Sequence, residues 1–201
     1  MAITAQEILD RAAELLHDES FMRWPDTELL AWLNEGRRTI ATLRPDAYAT
    51  QTVLAMASGT RQSLPADAYA FLGAVRNMVG GVNPSTTVRA VDKALLDTQA
   101  PDWHTATATA LVSTCSPDPM VPTQFYVYPP NTGAGHLEVT YARVPADVAL
   151  ADGIGLNDKF APCLVDYVVH RAESKDAETA SVAALAAAYF EKFKAMVAEV
   201  K

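Results

Sequence analysis

Four histidines, His17, His104, His136 and His170, are the side chains that titrate near neutral pH, and so the first candidates for chemistry. No two stand at metal-ligand spacing on one element, and neither cysteine accompanies one at the spacings of a zinc site. His17-Asp18 and His170-Arg171-Ala172-Glu173 each have the form of a base with an acidic helper. Adjacent helix residues point ~100° apart, however, so His17 and Asp18 do not face each other. There is no GxSxG, P-loop or GxGxxG, and Gly80-Gly81 lacks the GK[ST] that makes a phosphate cradle. Asp147, Asp152 and Asp158, with Gly153 and Gly155 among them, lack the every-second-residue oxygens of a calcium loop. Phe125, Tyr126 and Tyr128 could stack bases, but the nearest basic residue is Arg143, so packing is the better account. The residues predict no catalytic, metal or cofactor site.

The elements that would hold any site form three blocks. Thr4 and Glu7 make a capping box for a helix that carries Ile8, Ala12 and Leu15 on one face, widened by Leu9, Ala13 and Leu16. After Trp24-Pro25, with Asp26 or Thr27 as cap, Leu29, Leu33, Gly36, Ile40 and Leu43 predict a second helix, and Arg44-Pro45 ends it. Gly36 on that seam admits a close partner helix, at ~1 kcal/mol of helix propensity relative to Ala. Residues 1–47 read as a helical hairpin. From residue 48 to 145 the pattern turns to strand: 52–56, 62–64, 71–79 and 87–91, with Asp92 capping a brief helix. Phe125–Tyr128 and Leu137–Tyr141 predict a β-hairpin across Pro129-Pro130-Asn131-Thr132-Gly133, and the Thr/Ser/Ala/Pro-rich stretch 98–122 reads as a long exposed loop. Residues 146–201 return to helix. Asn157 or Asp158 caps a segment with Pro162 in its first turn and Leu164, Val168 and Ala172 on one face. A break at Lys175-Asp176 precedes a final helix whose seam is Val182, Ala186, Tyr189, Phe193, Met196 and Val200. The fold class expected is α+β: a helical bundle of N- and C-terminal helix pairs, one composite domain, with a β-rich middle insertion.

The chain has 201 residues, 50% hydrophobic and 20% charged, enough for a sizeable core. Low charge leaves surface that favours protein contact over water. A net charge of −8, with the sixteen basic residues scattered, disfavours direct nucleic-acid binding, which needs clustered Lys and Arg. Cys115 and Cys163 form no disulfide framework and read as reduced thiols. The opening MAITAQEILDRAAELL lacks the order of a signal peptide, and no stretch reaches the ~18 apolar residues of a membrane span, so synthesis in a cytoplasm is expected.

Four stretches together carry a resemblance: RWPDTELLAWLNEG (23–36), TVRAVDKALLDTQAPDWH (87–104), PTQFYVYPP (122–130) and LVDYVVHRAESKDAE (164–178). In order along nearly the whole chain, they resemble the head-to-tail adaptors (connectors) of tailed bacteriophages, akin to the tubular tail and tail-accessory adaptors of short-tailed phages. The resemblance implies a virion structural protein and no enzyme. It implies a homo-oligomeric ring, commonly of twelve subunits, bound beneath the portal protein in the neck. Such a ring extends the DNA channel, attaches a tail or nozzle protein, and meets DNA only as cargo passing through during genome ejection. It further implies that residues 182–201 dock on the portal, with Tyr189, Phe193 and Met196 as anchors. The acidic balance agrees, since carboxylates around a channel let DNA slide without sticking. Two other readings stay open: another neck or tail-completion protein, or a small cytoplasmic enzyme using His104 or His136 in a pocket.

Overall fold

Capping and periodicity set the helices of the computed structural model, which describes residues 3–200. Helix α1 (Ala5–Leu16) opens on the expected capping box: Thr4 accepts from the Glu7 N–H, and the Glu7 carboxylate accepts from the Thr4 N–H at 2.8 Å. Helix α2 (Asp26–Leu43) starts directly after Pro25 with no side-chain cap, because proline's fixed backbone already directs the chain into the first turn. Helix α4 (Ala161–Lys175) has Pro162 in its first turn, and helix α5 (Ala180–Glu199) is capped by Thr179, which accepts from the Val182 N–H. Helix α3 (Lys93–Gln99) is the short one, capped by Asp92. The chain is α+β, with helices at both ends and two four-stranded sheets between them among the described residues.

Two compact units result, residues 1–47 with 145–201, and residues 48–144. In the helical unit α4 is the hub. From Cys163 to Val169 every residue is buried, so the helix is enclosed all round, and α1, α2 and α5 each pack on it. Gly36 is where α2 comes closest: a Cβ there would lie 2.8 Å from Cδ1 of Tyr167. Leu15 and Leu43, expected on the inner seams, are exposed at the ends of their helices. The α5 seam also rolls by one residue, with Val197 buried and Met196 half-buried, because a straight helix of 3.6 residues per turn drifts off a strict heptad.

The β unit is a two-sheet sandwich. Strands β1 (Ala49–Ala55), β8 (His136–Arg143), β3 (Ala68–Val79) and β4 (Asn83–Thr87) form one sheet in that order. Strands β2 (Ser58–Ser63), β7 (Gln124–Thr132), β6 (Thr114–Pro117) and β5 (Arg89–Ala90) form the other. Phe125, Val127, Leu137, Val139 and Tyr141 alternate inward to build the shared core. The expected hairpin of residues 125–141 is therefore wrong: β7 and β8 are consecutive but belong to different sheets. The corner is made by Asn131, fully buried, whose amide donates to Thr109 O and Ala110 O while its Oδ1 accepts from Gly133 N and Gly135 N. Gly135 is required there, since a Cβ would stand 2.2 Å from Ala110 O.

The reading of 98–122 as an exposed loop is likewise corrected. Trp103 and Val112 are buried, and 114–117 is β6, an inner strand bonded to both β7 and β5. Strand β6 is short and carries Ser and Pro, so its burial is set by the strands around it and not by its own pattern. The strand expected over 87–91 shrinks to Arg89–Ala90.

Candidate functional site

The histidines are spread over both units. His17 is the left-handed cap of α1. His104 faces Thr60 Oγ1 at 2.8 Å and stacks on Trp103 with ring centroids 3.7 Å apart. His170 Nδ1 lies 2.8 Å from Ala186 O, joining α4 to α5. His136 sits on β8 with its ring against Gly81. No trio of His, Cys, Asp or Glu among the described residues converges closely enough to hold a metal.

The remaining reactive groups are enclosed. Cys115 and Cys163 are free, buried thiols, one in each unit. Burial raises the Cys115 pKa; at Cys163 burial, helped by the Asp166 charge, pushes it up to about 11. Neither thiol is poised as a nucleophile. Asp166 is 3% exposed, and one oxygen pairs with Lys192 Nζ at 2.9 Å, pinning α5 to α4. One concavity of about 660 Å³ is a shallow surface groove lined by threonines, Arg89 and residues 109–113. It gathers no converging polar groups of the kind that orient a substrate.

Sequence reasoning missed a polar staple in the helical unit. Arg37, 4% exposed, donates to Ile154 O at 2.8 Å, Ala146 O at 2.7 Å and Asn34 Oδ1 at 2.9 Å. Asn34 in turn accepts from Val148 N and donates to Val148 O. This pair, three residues apart on α2, fastens the returning segment 146–154. The only signal was two polar residues bordering an apolar seam.

The three residues expected to anchor a partner do not share one environment. Phe193 is fully buried, 5.0 Å from the Tyr167 ring, so it holds α5 to the bundle. Tyr189 and Met196 are half-buried at the margin of that contact. The opposite side of α5 is solvent-facing and small: Ala183, Ala184, Leu185, Ala187, Ala188 and Ala195.

Charge is divided unevenly. The helical unit carries 18 Asp and Glu against 11 Lys and Arg, a net of −7, whereas the β unit carries six against five, a net of −1. Many of the helical unit's cations are already engaged, as in Arg44–Asp46 at 2.7 Å, Lys175–Glu28 at 2.6 Å, Arg23–Asp176 and Arg38–Asp147. The excess therefore reaches solvent as carboxylates such as Asp10, Glu14, Glu19, Glu178 and Glu199. The β unit instead exposes apolar side chains. Three β-bulges in β3 leave Tyr69, Leu72 and Val75 as the extra residues, and these are 39%, 40% and 37% exposed.

Nothing in this distribution is organised around a reacting atom; what is organised is surface, acidic on one unit and apolar on the other. Residues 3–201 match the SU10 adaptor protein family, and the chain belongs to it, in agreement with the resemblance to phage head-to-tail adaptors. No curated protein matches the chain.

Proposed function

We propose that the protein forms a ring, of twelve subunits, beneath the portal in the neck of the virion, where it prolongs the DNA channel and receives the tail. The observation that carries this reading is membership of an adaptor family over residues 3–201. The chain acts through its surfaces and not by catalysis. The helical unit, with its net −7, suits the wall of a DNA passage, because unpaired carboxylates repel phosphates and prevent adhesion.

Helix α5 is the portal-facing element in this proposal. Tyr189 and Met196 contribute from its half-buried margin, its exposed small-residue face makes the approach, and Phe193 keeps the helix in place from within. Two variants test it by co-purification with the cognate portal protein. Deleting residues 182–201 is expected to abolish portal-bound rings; rings recovered without that segment would refute the assignment. Leu185→Glu, at an exposed position, leaves the bundle folded and is expected to weaken portal binding at least tenfold.

A further inference from the structure

Strand β1 is an edge left unguarded. It pairs with β8 along all seven residues, Ala49↔Ala142 to Ala55↔His136, without a bulge. Its other side has no strand among the described residues. The residue after it fixes which groups face that side. Met56 N donates to Gly135 O at 2.9 Å, which makes Met56 and Gly135 a directly opposed, hydrogen-bonded pair. By alternation Thr50, Thr52 and Leu54 bond to β8, and the N–H and C=O groups of Ala49, Gln51, Val53 and Ala55 point outward. Among the described residues no backbone group meets them. The sequence, ATQTVLA, holds no charge, proline or glycine, the devices by which edges are normally blunted. The edges of the second sheet are blunted: β5 is two residues long and β2 is broken by a shift between Gly59 and Arg61.

The opposite edge of the same sheet is β4, NPSTT, which is uncharged but carries Pro84 and a register shift against β3 between Arg76 and Met78, so it is shorter and less regular than β1. All three pairings across the sheet are antiparallel, so in a sheet of four strands β1 and β4 run in opposite directions. A second copy set head-to-tail would thus offer its β4 to β1 in antiparallel register, continuing the sheet without reversing the subunit. Such a pairing is heterologous, using two different edges, which is the type that closes into rings larger than two. Charge permits it: the β unit is near neutral at −1, so copies meet there without the repulsion that their helical units generate. Apolar side chains flank both edges, Val53 on β1 and the exposed Val79 and Val82 at the β3–β4 turn.

We infer that the subunit–subunit contact is a β1-to-β4 strand addition between neighbouring copies, with Tyr69, Leu72 and Val75 extending the apolar part of the contact on the same sheet. This rests on the ring reading above and specifies how the ring closes. The test follows backbone amides. In the free chain the N–H groups of Gln51, Val53 and Ala55 exchange freely while those of Thr52 and Leu54 are protected. On assembly with the portal protein the first set is expected to slow at least tenfold. Gln51→Pro and Val53→Pro each remove an outward donor while sparing the bonds to β8, and are expected to retain the melting temperature but lose ring assembly. Thr52→Pro, which removes an inward donor, should unfold the strand instead. Rings that form while the Gln51 and Val53 amides keep exchanging, or that form equally well with the proline variants, would overturn the inference and leave the ring reading standing. Protection that appears only when a tail protein is added would overturn it in favour of that occupant. A wild-type chain that forms no ring with portal would overturn both.

Discussion

Phe193→Ala separates a residue that holds α5 in place from one that meets a partner. The side chain is fully buried in the helical core, with its ring 5.0 Å from Tyr167 and 6.0 Å from Phe190. Truncating a buried Phe to Ala removes its transfer free energy and leaves a cavity, together about 3–5 kcal/mol. Part of that, about 0.5–1.5 kcal/mol, is the specific ring–ring contact. The helical unit has about a hundred residues, for which 1 kcal/mol moves the melting point by roughly 4–8 °C. The expected drop is on the order of 20 °C, read as loss of the helical circular dichroism signal on heating. Tyr189→Ala, at a half-buried position, should move the same transition by only a few degrees. A Phe193→Ala chain that melts within ~4 °C of wild type would refute the reasoning, since a core side chain of that size cannot be removed without consequence.

Arg37→Ala leaves three buried acceptors, Ile154 O, Ala146 O and Asn34 Oδ1, without their cationic donor, and should cost about 3 kcal/mol or more, seen as a urea midpoint lowered by ~1 M or more. Gly36→Ala should destabilise by up to ~2 kcal/mol on thermal unfolding: the helix gains ~1 kcal/mol of propensity, but the new Cβ meets the buried Tyr167 ring at 2.8 Å and overpacking typically costs ~1–3 kcal/mol. The Cys163 thiol keeps its proton up to about 11 when folded, whereas the unfolded thiol releases it near its ordinary 9.0. The unfolded state therefore binds fewer protons in that window, and stability should fall as pH rises from about 9 towards 11; Cys163→Ala should flatten that limb of a pH–stability curve. Asp18 has its carboxyl lowered chiefly by the Trp24 N–H, with the Met22 and Arg23 N–H groups adding to it. Its contribution is present above the ordinary 3.8 and is lost as pH falls through the lower folded value, so Asp18→Ala should remove part of the acid sensitivity of the 18–24 turn, followed by amide exchange.

Local signals carried the helical unit well. A capping box, a proline in a first turn and a glycine on an apolar seam each act over a few residues, and Thr4, Pro162 and Gly36 do in the structure what their spacing implies. The β unit resisted because strand pairing is set at long range. Phe125–Tyr128 and Leu137–Tyr141 alternate as a hairpin would, and only the buried Asn131 and the crowded Gly135 show that the intervening turn is a corner between sheets. Strand β6 was hidden because Thr114, Ser116 and Pro117 have weak strand preference and are placed by β7 and β5. For the candidate site, the seam of α5 named Phe193 without showing which way it faces. A period of 3.6 tells which residues share a face and not whether that face meets the chain's own core or a partner.

The central claim, that this adaptor builds a ring on the portal, is tested most directly by the mass of the complex recovered when the full chain is mixed with its portal protein. The account predicts a single species holding twelve copies of the chain per portal ring, with the free chain running as a monomer beforehand. A chain that stays monomeric in the presence of portal, or that binds with no fixed number of copies, would contradict it.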